Sequence, residues 1–372
     1  GLRQWRVSAA APLSGGFEAR VGASGLEWDG FRPQSSAKKT SANARLAWQG
    51  ERDRVIVLAS VLDQPADDPL GLDRPRFDAD PYQTTPQATQ FDTRKTLAQQ
   101  QTGARWTHRF ANTGPLAESA VTAYFGERSV TQWLAIAAGT QTVTQNGAPS
   151  LHGGGVIDFD RSYDGVDARL TWRFGEAALV TGAAIERQRD DRRGFLNFTT
   201  TTPRPNYGVI GELRRDENNS ATSRDLYAQA EVPLGESFAV SGGVRVGKVK
   251  LKASDAFLSN GDDSGQRAFS YTNPVLGVRW QLARGLNLHA SVARGFESPT
   301  LGELAYRTDG SGVFNTALQP QKSRQAEIGV KDEEMRLAFA KADEDEFYYR
   351  VRHARHSGHT EHLDEVIKAF EK

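Results

Sequence analysis

Four histidines, His353, His356, His359 and His362, come nearest to a metal-binding spacing in this chain of 372 residues. A step of three drifts around a helix, which would put His353 and His362 on opposite sides. Gly358 also interrupts the segment, so no metal site is expected. His152–Gly155 reads His-Gly-Gly-Gly, a string that supplies oxyanion-hole donors in hydrolases. That chemistry needs a Gly-x-Ser-x-Gly elbow to present the nucleophile, and the chain has none. Asp158–Gly165 (DFDRSYDG) spaces its acids like a calcium loop. Tyr163, however, stands where the sharp turn needs glycine, and the bidentate glutamate is missing. No catalytic residue and no cofactor is expected, which leaves binding. The richest stretch is Glu186–Gly208, ERQRDDRRGFLNFTTTTPRPNYG. Arg192 and Arg193 suit an anionic ligand, and Phe195, Phe198 and Tyr207 suit stacking on an aromatic chelator. Tyr306 and Phe314 rank behind them.

The elements that must carry these residues read as strands. In Gly165–Ile185, Val166, Ala168, Leu170, Trp172 and Phe174 share one face, while Asp167, Arg169, Thr171 and Arg173 share the other. Leu226–Val232, Leu276–Leu282, Leu286–Val292 and Ala104–Phe110 repeat this alternation. The segments run to about ten residues and number about a dozen, which suits tilted membrane-crossing strands better than ordinary globular ones. Short connections (Trp48–Val55, Phe174–Ala177, Val232–Phe238, Leu282–Leu286) take turns with long ones, near 62–102, 128–164, 187–223, 251–270 and 296–322. A meander with short turns at one end and long loops at the other is the pattern of an outer-membrane barrel. Trp48, Trp106, Trp172 and Trp280, with Phe110, Phe174 and Phe238, lie near the short turns, as an interfacial aromatic girdle would. The apolar face is therefore expected to meet lipid, with Asp167, Arg169, Arg173, Glu231 and Arg279 lining a wet lumen.

Composition agrees. Basic and acidic residues balance at 46 each, so nothing draws the chain to nucleic acid. There are no cysteines, hence no disulfides and no thiolate metal site. No run approaches the roughly 18 apolar residues of a membrane-crossing helix, and barrels need none. The chain starts at Gly1 with no secretory leader, so it is expected to be a processed product or a piece of something longer.

Two stretches then resemble one family. Leu288–Arg307 carries Arg294, Gly295, Phe296, Ser298, Pro299, Thr300, Glu303 and Leu304. Asn315–Lys331 carries Asn315, Leu318, Pro320, Ser323, Glu327, Gly329 and Lys331. In order and spacing they are similar to the TonB-dependent outer-membrane receptors. The resemblance implies an all-β, antiparallel up-and-down transmembrane barrel, partial here, over residues 1–350. It also implies a place in the bacterial outer membrane among its lipids, a plug domain and a periplasmic energy-coupling protein in the full-length protein, and import of a small-molecule metal chelate, most often an iron–siderophore complex. A passive porin-like channel and a soluble all-β adhesin are the alternatives.

Residues 351–372 differ from the rest. Thr360 could cap a short amphipathic helix with Leu363, Val366, Ile367 and Phe370 on one face. This tail weakly resembles the C-terminus of the α-oxoamine synthases at Arg352, His359, Thr360, Asp364 and Phe370. The chain offers no site for that family's cofactor lysine.

Overall fold

Alternation of apolar and polar residues leaves a strand stable only between two unlike surroundings, and this chain repeats that arrangement along most of its length. The computed structural model describes residues 1–111, 114–142, 150–200, 205–305 and 314–332. The strands are β1 (Leu2–Pro12), β2 (Phe17–Trp28), β3 (Ala37–Gln49), β4 (Asp53–Asp67), β5 (Arg94–Arg109), β6 (Leu116–Trp133), β7 (Val156–Phe174) and β8 (Ala177–Phe195). They continue with β9 (Phe198–Thr199), β10 (Asn206–Tyr207), β11 (Leu213–Leu234), β12 (Phe238–Asp255), β13 (Gly265–Ala283), β14 (Leu286–Glu297) and β15 (Gln321–Asp332). Short helices interrupt the loops: α1 (Arg74–Ala79), α2 (Pro86–Gln90), α3 (Ala138–Thr142) and α4 (Leu301–Leu304). Thirteen strands pair in chain order, β1 to β8 and then β11 to β15, while β9 and β10 form a separate ribbon in one loop. Every register determined in the sheet is antiparallel. The expected C-terminal helix at 351–372 lies outside the described residues.

The strands outrun the expected ten residues, reaching 19 in β7 and β8 and 22 in β11. The cause is polar pairing beyond the apolar band. β7 and β8 stay in register from Phe174↔Ala177 to Val156↔Phe195. Much of the stretch expected as a loop after Arg128, and of the one after Arg187, is therefore ladder. Arg192 and Arg193 stand on a strand, not in a loop. The alternation of short and long connections holds. Turns such as Gly50–Arg52 and Gly175–Glu176 face loops such as 68–93 and 134–155.

Chain contacts divide the molecule into two compact units. One comprises Gly1–Ala230, Gly243–Pro274 and Arg294–Ser323; the other comprises Glu231–Gly242, Val275–Ala293 and the described residues from Arg324 onward. In the first, Val166, Leu170 and Leu226 are exposed, Leu226 at 60%. Their polar neighbours pair with one another instead: Tyr227 donates to Asp167 at 2.9 Å, and Arg161 grips Asp190 through two hydrogen bonds of 2.7 and 2.8 Å. In the second, Leu276 (52%), Val278 and Trp280 (48%) are exposed as well. The apolar faces turn outward and do not gather into an interior.

Aromatic rings finish the outer surface near the short turns. Trp48 lies opposite Val55, which lies opposite Trp106, so the two indoles share one row. Trp48 Nε1 donates to the Gly15 carbonyl and Trp106 Nε1 to Asp53 Oδ1. A ring with an apolar body and one satisfied N–H suits the lipid headgroup level. On the inner face, Tyr124 and Tyr163 lie across Gly165 and Gly126, the residues directly opposite them. A Cβ on Gly126 would sit 2.4 Å from Tyr163 Cζ, so only glycine leaves room for that ring.

Candidate functional site

Two packed clusters organise the long-loop end. The first is polar. Asn197 is fully buried in the short segment between β8 and β9. Its Nδ2 donates to the carbonyls of Leu134 (2.7 Å) and Ile136 (3.1 Å), and its Oδ1 accepts from Gln141 Nε2 (2.7 Å). Gln141, on α3, is equally buried and also donates to the Ile136 carbonyl at 2.7 Å. One amide pair thus satisfies carbonyls that the loop could not pair in a ladder. Around it, Phe198 and Phe91 are buried, and Tyr207 meets both, Phe91 edge-on at 5.2 Å and Phe198 at 6.0 Å.

The His152–Gly155 string is explained here. Gly154 has φ +90° and passes so near the Phe195 carbonyl that a Cβ would meet it at 2.1 Å; a Cβ on Gly155 would collide with Asn197 Nδ2. These glycines let one loop lie against another. His152 beside them is held below its ordinary pKa of 6.5, first by burial and then by Arg215 and Arg214.

The second cluster is apolar, and residues of both family-like motifs pack into it against side chains of β12 and β13. Leu251, Phe269, Leu304 and Phe314 form a buried group, with Phe296, Leu301 and Leu318 packed against it. Thr300 and Glu303 form a capping box on α4. Thr300 Oγ1 accepts from the Glu303 N–H at 3.2 Å, and Glu303 Oε2 accepts from the Thr300 N–H at 2.7 Å. The Thr300 N–H and then its hydroxyl, both donating to Glu303 Oε2, hold that carboxyl below its usual range. Pro299 is buried, and Phe296 stacks on Tyr271 at 4.6 Å. Gly295 leaves room for Ser323 Oγ, so the two motifs meet side by side. In the second unit Gly329 accommodates the His289 ring, which sits 3.3 Å from Glu327. The remaining motif positions follow the chain path: Arg294 ends exposed on β14, Ser298 precedes the buried proline, and Pro320 leads into β15.

The sequence-derived ligand residues part company here. Arg192 and Arg193 are consecutive on β8 and so point to opposite faces. Arg192 lies 3.8 Å from Glu217, whereas Arg193 faces Asp158 on β7, also at 3.8 Å. The two cannot grip one ligand together. Phe195 is half-buried, while Phe198 and Phe314 are each 3% exposed, their rings engaged in packing. Tyr306 lies outside the described residues. Among the described residues, exposed rings on this end include Phe31, Phe77 and Tyr82, in loops tied together by Arg32, which donates to the Leu70 carbonyl at 2.5 Å and the Gln83 carbonyl at 3.4 Å. Nothing in the sequence pattern singled these out, because single aromatics between polar loop residues carry no periodic signal. Among the described residues no group of three or more His, Cys, Asp or Glu is arranged to hold a metal.

Known proteins share this architecture. The ferric citrate transporter FecA, unliganded, superposes with a TM-score of 0.69 at 16% identity, covering 89% of this chain and 46% of that one. The siderophore receptor PiuA of Acinetobacter baumannii gives 0.67 at 12% identity, covering 88% and 52%. The ferric yersiniabactin uptake receptor FyuA of Yersinia pestis gives 0.63 at 12% identity, covering 88% and 49%. The chain thus spans about half the length of these structures. The sequence profile described as TonB dependent receptor-like, beta-barrel matches residues 39–343. This match sets aside the soluble all-β reading and places the chain among receptors, not enzymes. With its apolar faces outward and both motifs in place, the chain belongs to the TonB-dependent receptor β-barrel family of the bacterial outer membrane.

Proposed function

We propose that the intact protein takes up a metal chelate, most simply an iron–siderophore complex, with the present residues forming the wall and cell-surface loops of the receptor. The observation that carries this reading is the family match over 39–343, supported by neighbours whose names specify ferric citrate, siderophore and ferric yersiniabactin. Capture would begin at the loop end, where Phe31, Phe77 and Tyr82 present exposed rings and Arg192 a half-buried cation. A plug domain and a periplasmic energy-coupling protein would complete the machine.

Uptake of radiolabelled ferric siderophore by cells making the intact protein tests the reading. Saturable uptake abolished by a protonophore is the expected result. Uptake that rises linearly with concentration and ignores the protonophore would instead identify a passive channel.

A further inference from the structure

Direct pairing runs one row of side chains across the sheet: Ala10, Arg20, Arg45, Leu58, Gly103 and Tyr124, each opposite the next. Tyr124 faces inward, so this row and every second residue from it along β1 to β5 line the inner wall. Among the described residues, Glu18 is the one carboxylate on that face of these strands. Arg45 holds it at 2.8 Å, and Arg109 lies 3.8 Å from Glu118 of β6. Arg6, Arg20, Lys39, Arg54 and Arg105 share the face, all exposed, and none forms an ion pair or side-chain hydrogen bond with a described residue. Half-buried Lys95 is unpaired in the same sense. Arg20 stands directly opposite Arg45, and like charges so placed repel.

Farther along the sheet the inward cations are met from within the wall. Arg161 holds Asp190, Arg169 lies 3.7 Å from Glu118, Arg192 lies 3.8 Å from Glu217, and Arg245 bonds Asp225 at 2.9 Å. Arg128 and Arg173 are the exceptions on β6 to β8. What sets β1 to β5 apart is therefore a shortage of acids, since cations line both stretches of wall. Leu58 sits amid the unpaired cations and is 52% exposed, with Ile56 and Leu62 beside it on the same face of β4. Arginines around an exposed aliphatic patch have the composition of a protein interface. A small anion would meet the cations but leave Leu58 in water.

We propose that the plug domain of the intact protein docks on the inner face of β1 to β5 through a carboxylate-bearing surface, with an apolar side chain seated over Leu58. The proposal rests on the receptor reading above, which calls for such a domain, and adds which wall holds it and by what chemistry. Aspartate and glutamate of the plug bond Arg20, Arg54 and Arg105 through charge-assisted hydrogen bonds, for which the guanidinium fork is well shaped. The wall beyond β6 has already matched most of its inward cations with its own acids, so it offers a carboxylate surface a weaker hold.

Carbodiimide coupling of the intact protein, read by mass spectrometry, tests the proposal in a variant carrying Arg20→Lys, Arg54→Lys and Arg105→Lys. Amide links from positions 54 and 105 to aspartate or glutamate of the plug are the expected result. Conductance in planar bilayers is the second readout. Arg20→Gln, Arg54→Gln and Arg105→Gln together should raise mean conductance roughly tenfold or more, since one lost bond to a charged group already shifts an equilibrium by about that factor. The lysine variant should stay as closed as the wild type. So should a control with Arg187→Gln, Arg224→Gln and Lys248→Gln, an equal neutralisation on the outer face. Links confined to carboxylates of the wall, or a glutamine variant as closed as the wild type, would overturn the proposal. Loss of chelate uptake with unchanged conductance would do the same and give this face to cargo. Neither readout uses a chelate, so a protein that links as expected yet takes up no chelate refutes the cargo reading alone.

Discussion

Two clusters hold the long-loop end of this wall, and they are built on opposite principles. The Asn197–Gln141 knot is polar and directional: a few hydrogen bonds satisfy backbone carbonyls that no ladder reaches. The Leu304 group is apolar, fixed by volume and by the capping box that sets α4 over it. The contrast teaches that the recognisable family motifs here are architectural. Phe296, Leu301, Leu304 and Leu318 pack on Leu251 and Phe269 of β12 and β13, while the other loop cluster is held by residues with no motif at all.

Mutations can sharpen that contrast, beginning with the largest effect. Leu304→Ala removes a fully buried side chain and should cost about 2–5 kcal/mol, read as a lower unfolding midpoint in detergent. A loss below about 0.5 kcal/mol, within the usual range of surface changes, would show that the motif cluster carries no structural weight. Asn197→Leu should cost roughly 1–3 kcal/mol for each carbonyl left unpaired. Because that damage stays in the loops, proteolysis near residues 134–142 and 196–212 should accelerate before the sheet melts. Simultaneous melting of both would merge the two clusters into one unit. Thr300→Ala removes the cap of α4 and should cost about 1 kcal/mol, with Thr300→Ser restoring it.

The smallest effect is a pH dependence. His152 in the folded loop has a lowered pKa, so the unfolded loop binds its proton more readily. Stability of this loop should therefore fall as the pH drops through 6.5 toward the lowered value, and level off below it. His152→Gln should flatten that slope in hydrogen exchange measured between pH 7 and 5. An unchanged slope would show that His152 binds its proton equally well in the folded and unfolded loop.

The wall was legible from sequence because period-two alternation is a global signal. Val166–Phe174 and Leu276–Leu282 could each be assigned a lipid face from their own residues. Strand length was less legible: the residues of β7 and β8 beyond the apolar band, such as the Arg161–Asp190 pair, read as loop because they are polar on both faces. The loop knot was not legible at all. Asn197 and Gln141 are ordinary polar loop residues until the fold brings them together from 56 positions apart. Phe198, chosen for stacking, was recognised as an important ring but assigned the wrong surroundings, since loops can pack a core of their own.

The central claim is that the apolar face of each strand is solvated by lipid and the polar face by water. These 372 residues contain no cysteine, so single nitroxide labels can be placed at Leu170→Cys, Arg169→Cys, Leu226→Cys and Tyr227→Cys in the intact protein, with any cysteine elsewhere in it replaced, reconstituted in bilayers. The account predicts that labels at 170 and 226 relax with oxygen, which concentrates in hydrocarbon, and ignore a water-soluble nickel chelate. Labels at 169 and 227 should show less oxygen relaxation. All four positions shielded alike from both reagents, as in a packed protein interior, would contradict it.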